Sequence, residues 1–281
     1  MSPERLLAAI MLVSLTFGAG LQVNWVNCVA TLKNAGLLTR ALLANVVVVP
    51  LCGVLLAKLF RLPPAVATGY LLMAIAPGVP FVLMQVRKRG GRLGLAVALA
   101  AILPLASIVT VPLTAAFVLP SAATAHLPLA QFALTLILFQ LLPLIVGIAV
   151  GTKVPSAAAR IGPIIQIVFF GSVIVLIALL GPRLVQGVAT VYGSNGMWAM
   201  LCLVLISLAV GWAFGAPERE DRRVLSLGTA LRNIGLCALL ATSSFRAPQV
   251  AAAVLTYFVI QLVITSIVGI YYSRTARKAV A

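Results

Sequence analysis

The sequence predicts an all-α, multi-pass membrane protein of nine spans, and three observations predict it. The 281 residues are 63% hydrophobic and 9% charged, with a mean hydropathy of +1.18, whereas a soluble domain carries about a quarter charged residues. Apolar runs of about 20 residues, the length that crosses the hydrocarbon of a bilayer, recur along the chain. The lysines and arginines fall between these runs and divide unevenly over two sides.

In chain order the spans are Glu4–Val23, Leu37–Phe60, Pro64–Val86, Leu93–Leu119, Leu127–Gly151, Ile161–Gly181, Gly196–Gly215, Val224–Ser243 and Pro248–Tyr272. Pro, Gly or charged residues separate most of them. Arg5 ahead of an apolar run makes the first stretch look like a signal peptide. Cleavage near Gly20 would reverse the alternation and put Arg87–Arg92 outside, so the stretch is kept as a span. Alternating nine spans puts Arg5, Lys58, Arg61, Arg183 and Arg246 on one side. The other side then holds fourteen basic residues, among them Lys33, Arg40, Arg87, Lys88, Arg89, Arg92, Lys153, Arg160, Arg219, Arg222 and Arg223. The richer side is expected to be cytoplasmic. That gives an outside N-terminus, a cytoplasmic C-terminus and an inner (cell) membrane location. One integral membrane domain, 1–281, is expected.

The charge of +16 does not point to nucleic acid, because the bases lie in short loops between apolar runs. Cys28, Cys52, Cys202 and Cys237 show no C-x-x-C spacing, and small buried fillers are the expectation. Neither a metal site nor a cofactor is implied. The four acids, Glu4, Glu218, Glu220 and Asp221, lie at or beyond span ends, and the sole histidine, His126, lies in a loop. Membrane proteases need paired Asp, H-E-x-x-H or a Ser–His arrangement, so an enzyme is not expected.

Two spans are irregular. The eighth carries Arg232 and Asn233 in S-L-G-T-A-L-R-N-I-G-L-C-A-L-L, between Gly228 and Gly235. A guanidinium at the bilayer centre costs about 2.5–3.5 kcal/mol on insertion scales, which marks a residue that faces the protein interior. The third reads A-I-A-P-G-V-P-F, where Pro77, Gly78 and Pro80 break the backbone ladder. Freed backbone groups survive in a bilayer when buried in protein or facing a wet cavity. The two spans lie five apart and so run in opposite directions. Two interrupted helices in corresponding halves are the pointer to an inverted-repeat transporter site, with halves of about 1–120 and 127–273. The two breaks are expected near Pro77–Pro80 and near Gly228–Gly235, and they are expected to cross.

Arg232 has two readings from the residues alone: it caps freed carbonyls, or it binds an anion or stands in for a bound cation. Asn233 divides equally between satisfying the break and touching substrate. For Gln140, Gln166 and Gln261, hydrogen bonding between helices is expected, and for Gln85 a solvated helix end.

Several segments together resemble the bile acid:sodium symporter family. F-G-A-G-L at Phe17–Leu21 is similar to the glycine-rich end of a panel helix in that family. Asn45, five residues before Pro50, matches a polar position in the next helix. A-P-G at Ala76–Gly78 and G-G-R-L-G-L at Gly90–Leu95 resemble the first broken helix and its successor. L-L-P-L-I-V-G at Leu141–Gly147 and L-R-N-I-G at Leu231–Gly235 resemble a further segment and the second broken helix. The resemblance implies a core domain with two broken, crossing helices, a panel domain that includes spans 1, 5 and 6, and carriage of a small organic anion by alternating access. It also implies sodium sites, and here the chain departs. The acidic position is matched by Gly228, the usual Gln by Arg232, and the Ser–Asn pair by Val82 and Leu83. Ala96 and Ala100 stand where hydroxyls belong. Asn233, Asn45 and Thr229 remain. Sodium-independent or proton-coupled carriage of an organic anion follows, with Arg232, Asn233, Asn45, Thr229, Gly228, Pro77 and Gly78 as the substrate or ion site. The alternative is a membrane sensor or scaffold descended from a transporter.

Overall fold

The computed structural model of the chain describes residues 2–23, 34–78, 83, 86, 90–120, 129–245 and 247–278. Expectations for Cys28, Lys33, Pro80, Val82, Gln85, Arg87–Arg89, His126 and Arg246 lie outside the described residues. Among those described, the chain is helical, and its one β contact is an isolated bridge.

Helix α1 spans Pro3–Gly20, with Pro3 in its first turn and Ser2 accepting from the Arg5 amide at its start. Helix α2 runs over Ala35–Leu43, a widened π turn at Ala44–Val48, and Val49–Leu59. Helix α3 covers Pro64–Ile75 and α4 covers Leu93–Val118, with Pro104 and Pro112 inside it. Helix α5 repeats the pattern of α2: Leu129–Leu136, a π turn at Ile137–Leu141, then Leu142–Lys153. Pro50 and Pro143 account for the two π turns. Each lacks an N–H, so the carbonyl four residues earlier, on Val46 or Phe139, loses its α-helical donor inside the widened turn. The amides of Val49 and Leu142 bond five residues back, to Ala44 and Ile137.

The second half begins with α6, Pro155–Gly193, one continuous helix of 39 residues. At 1.5 Å per residue it is about 58 Å long, nearly twice the hydrocarbon thickness. The predicted span Ile161–Gly181 is its middle, and Arg160 and Arg183 belong to the helix rather than to loops. Helix α7 spans Gly196–Phe214, α8 Arg219–Ala230, α9 Ile234–Ser243 and α10 Pro248–Lys278.

Among the described residues, seven helices are long and apolar enough to cross a membrane, and α3 and α9 are shorter apolar helices. Burial sorts them. Every residue of α3 from Val66 to Ile75, of α8 from Val224 and of α9 through Ala241 is buried. The outer helices instead expose large apolar side chains, such as Leu59 at 74% and Ile167 at 72%, as a lipid-facing surface does. Helices α3, α8 and α9 are the most continuously buried, and the longer helices carry the exposed apolar side chains.

Helix α1 packs on α5 and α6 and also on α9. Its junction with α5 joins two segments that the sequence singled out. A Cβ on Gly20 would lie 2.5 Å from the Leu144 carbonyl oxygen and 2.9 Å from the Gly147 Cα, and a Cβ on Gly147 would overlap the Phe17 carbonyl. Backbone approach this close requires glycine on both helices. Gly147→Leu is therefore expected to lower stability by about 1–3 kcal/mol through overpacking. Gly162→Leu in α6, where a Cβ meets nothing within 4 Å, should be close to neutral. Thermal unfolding of the two variants in one detergent measures this, and equal midpoints would contradict it.

Candidate functional site

The site is built where the two interrupted spans meet. Helix α3 stops at Ile75, and Ala76 turns extended at φ −94°, ψ 97°. Helix α8 stops at Ala230, and Leu231 is extended at φ −80°, ψ 114°. The break in the eighth span is thus Leu231–Asn233, shorter than the Gly228–Gly235 stretch predicted. Gly228 stays within α8 and Gly235 within α9, where it packs on the backbone of Leu12. The carboxamide of Asn233 ends the break by accepting from the Leu236 amide at 3.1 Å, an N-cap for α9.

The two extended pieces pair. Pro77 and Arg232 form an antiparallel bridge, and the Asn233 amide donates to the Ala76 carbonyl at 3.2 Å. Gly78 lies directly against this backbone: a Cβ there would overlap the Arg232 carbonyl carbon and the Asn233 nitrogen. The other edge of Arg232 is satisfied by one side chain. The Arg232 amide donates to Gln261 Oε1 at 2.9 Å, and Gln261 Nε2 donates back to the Arg232 carbonyl at 3.3 Å. A carboxamide on α10 therefore does the work of a third strand.

The Arg232 side chain is 1% exposed. Its Nη1 donates to the Asn45 carbonyl at a long 3.4 Å, while Nε and Nη2 have no partner. The Tyr257 and Tyr70 rings pack with centroids 6.3 Å apart. Both hydroxyls lie within electrostatic range of the guanidinium, and neither forms a hydrogen bond of good geometry. Cys237, also beside Arg232, donates weakly to the Leu72 carbonyl at 3.3 Å.

Both π turns send a carboxamide toward the second break, Asn45 to Thr229 just before it and Gln140 to Asn233 within it. Asn45, in α2, donates to Thr229 Oγ1 at 3.3 Å and to the Ala41 carbonyl at 3.0 Å. Gln140, in α5, accepts from Asn233 Nδ2 at 3.0 Å and donates to Ser107 Oγ at 2.7 Å and to the Pro104 carbonyl at 2.9 Å. The freed geometry of a π turn lets a side chain leave the helix line, which is why such turns gather at working sites.

Six of the residues expected at the site come together here: Arg232, Asn233, Pro77 and Gly78 at the bridge, with Asn45 and Thr229 beside it. Gly228 is buried one position before Thr229 and offers no polar group. Gln140 and Gln261 make the bonds between helices expected of in-span glutamines, Gln140 to α4 and to the break and Gln261 to the break. Tyr257 and Tyr70 were not singled out in the sequence. The signal available was a phenol in an otherwise apolar span, where a hydroxyl needs a partner. Leu83, Ala96 and Ala100 are buried and apolar at the positions where the resemblance placed sodium ligands. Among the described residues no group of three His, Cys, Asp or Glu could hold a metal ion.

Fold and site together define a multi-pass membrane protein in which the end of α3 pairs with the break between α8 and α9. Residues 9–189 match the model of the sodium bile acid symporter family, and the chain belongs to that family. It is a family of transporters rather than enzymes. The match ends before the second break at Leu231–Asn233. Relatives include the P3 protein of Homo sapiens, 26% identical over 236 residues, which are 80% of this chain and 48% of that protein. The P3 protein of Mus musculus is 27% identical over the same shares. That of Bos taurus is 25% identical over 93% of this chain and 55% of its own length. The chain thus spans about half the length of the curated relatives it matches.

The Gln261 carboxamide serves both the N–H and the C=O of a buried peptide. Gln261→Leu is expected to cost about 1–3 kcal/mol by leaving them unpaired, read as a lower unfolding midpoint at unchanged expression. A midpoint equal to that of the parent would contradict it.

Proposed function

We propose that the chain is a secondary active carrier of a small organic anion, working by alternating access, in which Arg232 supplies the positive charge that a bound cation would otherwise bring. One observation carries this reading: a fully buried guanidinium where α3 ends against the break between α8 and α9 keeps two of its nitrogens, Nε and Nη2, without a partner, and the four acids lie at or beyond the span ends. An arginine that merely capped freed carbonyls would spend its donors on them, and here one donor reaches one carbonyl. Charged groups inside a membrane protein mark substrate and ion pathways by default. An anion attracted in low dielectric would meet Nε, Nη2 and the Tyr257 hydroxyl, with Asn233, Asn45 and Thr229 close by. Gly228, Pro77 and Gly78 would contribute backbone beside it.

The wider frame is part of the same proposal. Seven long helices among the described residues, with the third predicted span, of which α3 is the described part, and the eighth, α8 with α9, would make nine spans. The antiparallel bridge agrees with inverted repeats of about 1–120 and 127–273. Helices α1, α5 and α6 would form the panel, and the broken spans the core with α2, α7 and α10. The loop charges put the N-terminus outside and the C-terminus in the cytoplasm of the inner membrane. Sodium has no evident place, since Gly228, Leu83, Ala96 and Ala100 offer no oxygen-bearing side chain.

Uptake of a panel of labelled organic anions into proteoliposomes tests the reading. Flux is expected with potassium in place of sodium. A steep, saturable rise with sodium at constant ionic strength and membrane potential would contradict it. Arg232→Gln should cut anion flux at least about tenfold, the size of one lost charged hydrogen bond, while the protein remains folded in the membrane. Arg232→Lys should keep part of it, having charge without the planar fork. Flux in Arg232→Gln equal to the parent's would leave the residue as scaffold. Binding without flux would point to a sensor.

For topology, a reporter after Ala281 should read cytoplasmic and a tag before Met1 external. Both ends on one side would exclude nine spans.

A further inference from the structure

Away from the crossing, α7, α8 and α10 converge at the arginine-rich end of the molecule around an open cleft of about 500 Å³. Trp212 of α7, Arg219, Arg222 and Arg223 of α8, and Tyr272 and Thr275 of α10 line it. Among the described residues no acid lines the cleft. Asp221, on the same helix, is turned to Arg92 at 3.2 Å.

The arginines are held by their neighbours and still have donors to give. Arg223 is 9% exposed, with Nη1 on the Gly90 carbonyl at 3.1 Å and Nη2 on Thr275 Oγ1 at 3.3 Å, and its buried Nε has no partner. The Arg222 guanidinium lies 5.7 Å from the centre of the Trp212 ring, and its Nε is likewise buried and unpartnered. Trp212 stacks in turn on Tyr272 at 5.4 Å. The faces of these groups are packed and their polar edges are not satisfied. A planar guanidinium fork of this kind fits a phosphate, which can accept two parallel N–H bonds.

The surroundings decide the source of that phosphate. The outward stripe of α10, Val259, Val263, Ile267 and Ile270, is 52–60% exposed and leads to Tyr271, 63% exposed at the cleft. These positions share one helix face, so an apolar, lipid-facing stripe runs into a cluster of arginines. Trp and Tyr at that boundary are the residues that settle at headgroup depth. We propose that the cleft binds the phosphate of an acidic phospholipid headgroup, with the acyl chains along the outer face of α10.

The test is native mass spectrometry of the full chain in detergent with equimolar phosphatidylglycerol and phosphatidylcholine, and separately with inorganic phosphate. One phosphatidylglycerol is expected to be retained in preference to phosphatidylcholine. Arg222→Gln and the exposed Arg219→Gln should each lower that retention about fivefold, the effect of one basic residue near a charged membrane surface. Arg222→Lys should keep more of it than Arg222→Gln. Arg160→Gln, the same charge change on an exposed face of α6, should leave it unchanged. Equal retention of the two lipids, an equal loss in Arg160→Gln, or binding of inorganic phosphate without lipid preference would overturn the proposal.

Discussion

A guanidinium enclosed in protein, with every carboxylate of the chain at or beyond the span ends, is the constraint on which the rest of the structure depends. Burying an unpaired charge costs several kcal/mol even after relaxation, and Arg232 is 1% exposed. The four acids of the chain are all remote from it in sequence or at span ends. The protein answers with neutral dipoles, namely the Asn45 carbonyl and the hydroxyls of Tyr257 and Tyr70. They soften the cost without cancelling the charge. What remains is a positive site in a low-dielectric setting, where attraction for an anion is stronger than in water.

The backbone around that charge is satisfied more completely than the charge itself. The Asn233 amide donates to the Ala76 carbonyl, and Gln261 serves both peptide groups of Arg232. Two proline-induced π turns then tie the break to α2 and α5 through Asn45 and Gln140, and Gln140 continues the chain of bonds to Ser107 in α4. The broken spans are thus bonded to each other and to unbroken helices on several sides. Under the proposed mechanism they would travel together, with the junction of α1 against α5 and α6 as a separate packing unit.

Much of this was legible in the sequence. Apolar run length marked the long helices, because the bilayer sets that length. Arg232 and the Pro77–Gly78 pair marked the crossing, because a charge and a lost donor are costly in the same medium. The extent of the break was not legible. Gly228 and Gly235 suggested a long unwound stretch, yet the break spans three residues, since Asn233 caps α9 at once and both glycines remain helical. The length of α6 was missed because Arg160 and Arg183 read as loop charges, although a helix longer than the membrane is thick can carry them. The use of Gln261 as a backbone partner depends on which helices meet, which single-sequence patterning does not contain. Tyr257 was silent for the same reason.

The central claim is that the protein's own fixed charge stands where a co-transported cation would be. Arg232 belongs to the carrier and returns with it when it is empty, so each turnover of a monovalent anion should carry one net negative charge. Current recorded from proteoliposomes on a solid-supported membrane, free of sodium and with equal pH on both sides, tests this most directly. The account predicts an anion-dependent current of negative sign, with uptake accelerated by an inside-positive potential worth about 2.3 kcal/mol per 100 mV. Electroneutral uptake that requires a proton gradient, or a positive current that appears only with sodium, would contradict it.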